Sequence, residues 1–250
     1  MGALFQLSVR QLASRSRLLL ILILALLPVA LAALISALGE DESSNEEFIN
    51  TLLDGLLIAG ILPIVIMVLA TSTFGNEVED RTLSYLVLKP IRRSLIVLPK
   101  LLASIVVGGL VLIASGVVAT LLGASSMGAV LVVLDGNVKA VLALAIALFA
   151  GVVAYTAIFT WAGLMSSRAI AFALVYVFIW EGLISTFLGG VRYLSVRGYT
   201  LAILHGLDDK SFGSLGERVI EFPAALLGAT VTTALFFWLA VRRLHRMDVP

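Results

Sequence analysis

The chain has 250 residues, of which 60% are hydrophobic and 13% are charged, and its formal net charge is +1. Soluble domains carry about 25% charged residues, so the composition excludes a water-soluble globular fold. The high apolar content excludes a disordered chain, and the absence of cysteine excludes a disulfide scaffold. The composition is typical of an integral membrane protein.

Six apolar runs are long enough to cross a bilayer, which takes about 20 residues per helix. The first run is longer than the roughly 7–15 apolar residues of a signal peptide, so we expect it to stay in the membrane. The fold class predicted is a single all-α polytopic membrane domain covering residues 1–250. Its transmembrane helices are predicted at about 18–38, 56–74, 101–122, 138–165, 169–188 and 223–241.

The positive-inside rule sets the orientation of these spans, because cytoplasmic loops are enriched in Lys and Arg. If the N-terminus is cytoplasmic, 12 of the 17 basic residues lie on the inside. The first outer loop, 39–54, then holds six acidic residues and no basic one. We therefore expect a multi-pass protein of the cell membrane with both termini in the cytoplasm.

The segment 3–17 before the first span has apolar residues on one side and polar residues on the other. Leu4, Phe5, Val9 and Leu12 share the apolar side, although Ser8 interrupts the pattern. This arrangement predicts an N-terminal helix lying in the inner membrane interface. The alternative is an ordinary basic flank of the first span.

The inner loop between the second and third runs, 75–100, carries start and stop signals for a helix. Asn76 can cap a helix beginning at Glu77, and Glu79 completes a capping box. Pro90 would end this helix after Leu88. Such a helix is too polar to span the membrane, so it is suited to docking a cytosolic partner or to resting on the membrane surface.

The outer segment before the last run, 189–222, mixes charged residues, glycines and apolar stretches such as 199–204. A solvated loop would leave that stretch exposed to water. We therefore expect short helices that re-enter the outer interface and pack on the ends of other helices.

Several classes of chemistry lack their motifs. The chain has no G-x-x-x-x-G-K-[ST] segment and no H-E-x-x-H segment, so it does not predict ATP hydrolysis or a zinc protease. No basic stripe with interleaved aromatic residues supports nucleic-acid binding. The sequence predicts no catalytic residue, no metal site and no cofactor bound by this chain.

One carboxylate, Glu181, is predicted deep inside an apolar run. A carboxylate facing lipid costs several kcal/mol, so Glu181 should face protein or water, with Arg192 and Arg197 as candidate partners. It can line or gate a transport pathway, or it can form a buried polar bond that holds the fifth span to the outer segment.

The inner loop also resembles the ABC-2 type transporter permeases, in which it reads approximately E-x-E-x-G-T-L-x-x-L-L, followed by Pro, Arg and a Lys that opens the third span. Arg81 stands where that family has glycine. The segment 176–181 of the fifth span also looks like one found in this family. The loop residues at the corresponding positions are Glu77, Glu79, Asp80, Arg81, Thr82, Leu83, Leu86, Pro90, Arg93 and Lys100.

The resemblance implies a permease that pairs with a second permease, either a copy or a close homologue, and with two separate ATP-binding subunits. ATP and Mg²⁺ would be bound by those subunits, and the loop after the second span would be the coupling helix. The implied coupling residues are Asn76, Glu77, Glu79, Asp80, Arg81, Thr82, Leu83, Leu86 and Arg93. The implied pathway lies between two permeases, with Thr71, Ser72, Thr73 and Glu181 as polar candidates.

The matching pathway positions are otherwise apolar, which favours export of a lipid-like compound, a hydrophobic drug or a peptide. The alternative from another class is an ATP-independent membrane channel, scaffold or immunity protein. Of these classes, only an ABC permease is expected to copurify with a stoichiometric P-loop ATPase.

Overall fold

A computed structural model describes residues 2–38, 50–79, 93–123, 138–166, 169–184, 189–209, 211–212 and 220–246, and all regular structure in these residues is helical. We number the helices along the chain. They are α1 Gly2–Leu12, α2 Arg15–Leu38, α3 made of π-helical Leu52–Ile61 and α-helical Leu62–Glu79, α4 Ser94–Gly123, α5 Val138–Met165, α6 made of α-helical Ala169–Val175 and π-helical Tyr176–Ile184, α7 Val196–Leu207, and α8 Phe222–His245.

Five of these helices are long and apolar enough to cross a membrane. They are α2, α3, α4, α5 and α8, and each covers a predicted span. The largest difference is in α4, which begins at Ser94, seven residues before the predicted start at 101. The predicted fifth span corresponds to α6, whose apolar stretch Ala169–Leu183 is shorter. Its expected continuation over 185–188 lies outside the described residues. The multi-pass character is therefore confirmed, and the sixth crossing stays a prediction.

The central helix of the described bundle is α5, which contacts α3, α4, α6, α7 and α8. Glycines let the helices approach closely around it. A Cβ atom added to Gly163 would lie 2.8 Å from the backbone carbonyl oxygen of Thr71, so α5 packs directly on the backbone of α3. Packing through small residues suits helices in lipid, where the hydrophobic effect does not hold helices together.

The N-terminal helix forms as predicted but ends earlier. α1 stops at Leu12, and α2 already begins at Arg15, so the predicted continuation to residue 17 is wrong. Leu12 is buried, and α1 packs against α4 and α3. Ser8, which interrupts the apolar side in sequence, is also buried. Its hydroxyl is satisfied there by a 2.8 Å hydrogen bond that it donates to the carbonyl of Leu4.

The predicted helix start at Asn76 is wrong. α3 runs through Gly75 and Asn76 without a break and ends at Glu79, so Asn76 is inside a helix and is not its cap. Glu77 and Glu79, which indicate the first turn of a new helix in the sequence, lie in the last turn of α3. The rest of the predicted helix, 80–88, lies outside the described residues.

The π-helical part of α3 ends just before a proline. Pro63 has no N–H group to donate to the carbonyl four residues earlier, and the π-helical Leu52–Ile61 ends two residues before it. Proline and π-helical turns are common causes of irregular geometry within a helix. This stretch carries Asp54 at the start of α3.

The outer segment contains the short helices that the sequence predicts. The 3₁₀ helix Gly189–Leu194 precedes α7, which packs against α5 and α8. Tyr199, Thr200 and Leu204 of α7 are buried, so a solvated loop is excluded for this stretch. A Cβ atom on Gly151 would lie 2.6 Å from the Thr200 hydroxyl, which places α7 beside the middle of α5.

Candidate functional site

Two groups of polar side chains lie at opposite ends of α3, and the first is the Lys100 cluster, formed by Thr73, Phe74, Glu77 and Lys100. The Lys100 Nζ atom is 2.5 Å from Glu77 Oε1 and donates a 2.6 Å hydrogen bond to the Thr73 carbonyl oxygen. It also lies 4.3 Å from the centre of the Phe74 ring. Lys100 is only 3% exposed, so its charge depends on these three neighbours.

The helices explain this position. Lys100 lies near the start of α4, and its side chain reaches the last turns of α3, where the helix dipole favours a positive charge. That charge offsets the cost of placing the Glu77 carboxylate at the same helix end. Glu77 Oε2 has no hydrogen-bond partner among the described residues.

An apolar layer packs this end of the bundle. It combines side chains from α3, α4, α5 and α8, so four helices meet around the Lys100 cluster. Its buried members are Phe74, Ile96, Val97, Leu164, Ala240 and Leu244. Because Leu244 is near the end of α8, the C-terminal end of α8 lies at the same end of the bundle as Lys100.

The predicted coupling residues fall into three groups, according to how much of each residue the structure describes. Glu77 belongs to the Lys100 cluster, and Arg93 precedes α4, where its carbonyl accepts hydrogen bonds from the backbone of Ile96 and Val97. The other members within α3 are Asn76 and Glu79, of which only the backbone is described. Outside the described residues lie Asp80, Arg81, Thr82, Leu83 and Leu86. The coupling role of the whole set stays a prediction.

The three hydroxyl residues predicted near the pathway lie in the interior of this chain. Thr71, Ser72 and Thr73 are each at most 9% exposed. Each hydroxyl donates to a carbonyl of its own helix, at 2.6, 2.9 and 2.6 Å respectively. This satisfies the hydroxyls within α3, and a pathway role for them stays a prediction.

The second group is the Glu181 cluster, formed by Tyr176, Glu181, Ser195, Val196 and Arg197. Glu181 is 1% exposed. Its Oε1 atom accepts from the Tyr176 hydroxyl and the Val196 backbone N–H, both at 2.9 Å. Its Oε2 atom accepts from the Ser195 hydroxyl at 2.5 Å and from the Arg197 backbone N–H at 3.3 Å.

These donors identify the carboxylate as an anion bound at a helix N-terminus. Val196 and Arg197 begin α7, where backbone N–H groups have no partner within the helix. Ser195 is the N-cap and accepts a 3.1 Å hydrogen bond from the Gly198 N–H. Glu181 therefore holds the start of α7 against α6.

The π-helical geometry of α6 supplies the remaining donor. Tyr176 and Glu181 are five residues apart, which is the hydrogen-bond spacing of a π-helix, and both lie in π-helical Tyr176–Ile184. No spacing rule for an ordinary α-helix brings these two side chains together. The sequence therefore does not predict Tyr176 as a partner of Glu181.

Arg197 links the Glu181 cluster to α3 through a second carboxylate. Its guanidinium binds Asp54 with contacts of 2.8, 3.0 and 3.1 Å, a two-pronged geometry that fixes orientation as well as charge. The expectation that Arg197 is a partner of Glu181 is met through its backbone, and its side chain pairs elsewhere. Asp54 was predicted only as part of an acidic loop.

The contacts above hold α3 to α4, α6 to α7 and α7 to α3. Among the described residues, no three His, Asp or Glu side chains are grouped so that they could hold a metal ion. The long apolar helices and these two buried charged groups define an α-helical, multi-pass membrane protein.

The family follows from comparison with known sequences. The family model described as "ABC-2 family transporter protein" matches residues 13–180, about two thirds of the chain. The chain therefore belongs to the ABC-2 transporter family and is a membrane permease subunit of an ABC transporter, not itself catalytic. Membership implies pairing with an ABC ATP-binding subunit in a lipid bilayer. No curated protein matches the chain.

Proposed function

We propose that this permease is driven by ATP through the segment 76–93, which docks on the separate ATP-binding subunit. The observation that carries the proposal is the family match, which includes this segment. The Lys100 cluster supports it, because α3 ends at Glu79 and α4 begins at Ser94 in one packed end of the bundle. A segment anchored this way can pass a movement to the spans.

The Lys100 end of the bundle faces the cytoplasm in this proposal. Arg242 and Arg243 lie at the end of α8, and packing around Leu244 brings that end of α8 to the Lys100 cluster. The positive-inside rule places such a collection of basic residues in the cytoplasm. Asp54, Glu181 and Arg197 then lie toward the outer face.

Six crossings complete the proposed topology, with α6 as the fifth and α7 as a re-entrant helix. The close approach of Thr200 to Gly151 supports re-entry, because Gly151 lies in the middle of the membrane-spanning α5. The buried N-terminus of α7 has its backbone donors satisfied by Glu181, as backbone groups at membrane depth require.

The assembled transporter in this proposal contains two permeases, as identical copies or close homologues, and two ATP-binding subunits. ATP binding closes the ATP-binding subunits, the coupling segments move with them, and the spans tilt to give alternating access to a pathway between the permeases. The apolar character of the spans supports export of a lipid-like compound, a hydrophobic drug or a peptide.

Copurification tests this function against the ATP-independent channel, scaffold or immunity protein. The tagged permease, expressed with the genes beside its own, is expected to bring down a P-loop ATPase in equal amount. Arg81→Glu reverses a charge in the coupling segment and is expected to lower the recovery of ATPase at least tenfold. Quantitative mass spectrometry of the purified complex measures the ratio.

The matched control is Lys139→Glu. The Lys139 side chain is 66% exposed at the start of α5, and its 3.9 Å contact with Asp208 is the longest ion pair among the described residues. This reversal is expected to leave the ATPase recovery unchanged. If the unmodified permease brings down no P-loop ATPase from a membrane that contains one, the proposal is wrong.

A further inference from the structure

Glu77 and Lys100 lie on the two sides of the coupling segment, at its junctions with the spans. Glu77 is in the last turn of α3, and Lys100 is in the first turns of α4. Their 2.5 Å ion pair, with the 2.6 Å hydrogen bond to the Thr73 carbonyl, joins the helix that enters the segment to the helix that leaves it.

Burial makes this connection hard to open. The Lys100 side chain is 4% exposed, and the Glu77 side chain is 13% exposed. Separating them would leave the buried Glu77 carboxylate without its cation and the Lys100 ammonium with only the Thr73 carbonyl and the Phe74 ring, which costs far more than breaking an ion pair in water. The ring of Phe74 closes one side of the ammonium group and leaves little room for a replacement ligand.

The surrounding packing connects the pair to more of the bundle. Phe74 and Val97, which lie three residues before Glu77 and Lys100 respectively, are buried with Leu164 of α5 and Ala240 of α8. A displacement of α3 and α4 together at this end would therefore press on two further spans. If α3 and α4 could separate, much of that displacement would be lost as local bending.

We propose that Lys100 is a positioning residue that makes α3 and α4 one mechanical unit at the base of the coupling segment. This inference rests on the proposed coupling function and adds a specific part to it. The ammonium of Lys100 holds both ends of the segment at a fixed separation. Movement imposed by the ATP-binding subunit then reaches α3 and α4 as one displacement.

A distance measurement between α3 and α4 tests the proposal without knowledge of the substrate. The chain has no cysteine, so two introduced cysteines can carry spin labels at single sites. Gly75→Cys places a label on α3 where nothing lies within 4 Å of an added Cβ, and Leu102→Cys places one on α4 at a 41% exposed position. Electron resonance then gives the separation with and without trapped ATP–vanadate.

The copurified complex with its ATPase is the material for this measurement. With Lys100 present, the separation is expected to change by less than about 2 Å on trapping, within the range of small helix shifts at interfaces. In Lys100→Met, it is expected to change by more than that, while ATP hydrolysis continues. Glu77→Lys combined with Lys100→Glu restores an ion pair and is expected to restore the constant separation.

A control pair of residues lies at the opposite end of α3. Asp54→Asn weakens the ion pair with Arg197 and is expected to leave the separation between positions 75 and 102 constant on trapping. If Lys100→Met does not assemble, Glu77→Gln, which keeps the side-chain volume and removes the charge, gives the same test.

The outcomes separate the two proposals. A wild-type permease without an ATPase partner overturns the coupling function. A wild-type complex that assembles, combined with an equally constant separation in the Lys100 and Glu77 variants, overturns the role of Lys100 and leaves coupling in place. A purely structural role would lower the yield of the variants without changing the response to trapping.

Discussion

The two ends of α3 place a buried carboxylate in different surroundings. Glu181 accepts hydrogen bonds at both oxygens, including those from Tyr176 of α6 and from Ser195, Val196 and Arg197 at the start of α7. Glu77 shares one oxygen with Lys100, and its other oxygen has no hydrogen-bond partner among the described residues. The Glu181 cluster thus holds α7 to α6 through a carboxylate that is bound at both oxygens, whereas the Lys100 cluster holds α4 to α3 through a carboxylate that is bound at one.

Removal of Glu181 is expected to have the largest effect on stability. Glu181→Ala leaves the N–H groups of Val196 and Arg197 buried without an acceptor, and each such group costs about 1–3 kcal/mol. We expect a loss of several kcal/mol in the free energy of unfolding, measured by denaturant titration in detergent. Glu181→Gln keeps an acceptor oxygen and should lose less.

Transport by the Glu181→Gln variant tests whether Glu181 serves only to hold α7 in place. If Glu181 only holds α7 in place, this variant is expected to retain most of the wild-type transport per molecule of folded protein in liposomes. A loss of transport at normal expression and assembly would instead give Glu181 a role in the pathway, and the contrast drawn above would be wrong.

Closer packing near the Lys100 end is expected to give an intermediate effect. In Gly163→Ala the new methyl group would lie 2.8 Å from the backbone of Thr71, so α3 and α5 must move apart. Overpacking of this kind typically lowers the free energy of unfolding by about 1–3 kcal/mol. The unfolding free energy in detergent measures it. In Gly109→Ala the added Cβ meets Val152 at 3.7 Å, an ordinary contact, so no loss is expected. Equal stability of the two variants would contradict the described packing.

Loss of the cap of α7 is expected to have the smallest effect. Ser195→Ala removes the acceptor of the Gly198 N–H and a hydroxyl donor to Glu181, and loss of an N-cap costs about 1 kcal/mol. Ser195→Thr keeps a hydroxyl and serves as the control. The same titration should rank the variants as Ala below Thr, with Thr close to wild type. A reversed order would show that α7 is not capped in this way.

The spans could be predicted because lipid demands long apolar helices, and such runs are visible in the sequence. The predicted helix start at Asn76 is wrong because a capping pattern reports only a local preference. The helix of the second span, α3, continues through Asn76 without a break. Two contacts, Tyr176 with Glu181 and Asp54 with Arg197, could not be predicted, for different reasons. A π-helix brings Tyr176 to Glu181, and Asp54 and Arg197 are 143 residues apart in sequence.

The binding of α7 by Glu181 also has a consequence for biosynthesis. Glu181 precedes Ser195 by 14 residues and Arg197 by 16, so its carboxylate enters the translocation machinery before its main donors do. A carboxylate without partners is costly in hydrocarbon. We therefore expect α6 to insert stably only together with α7.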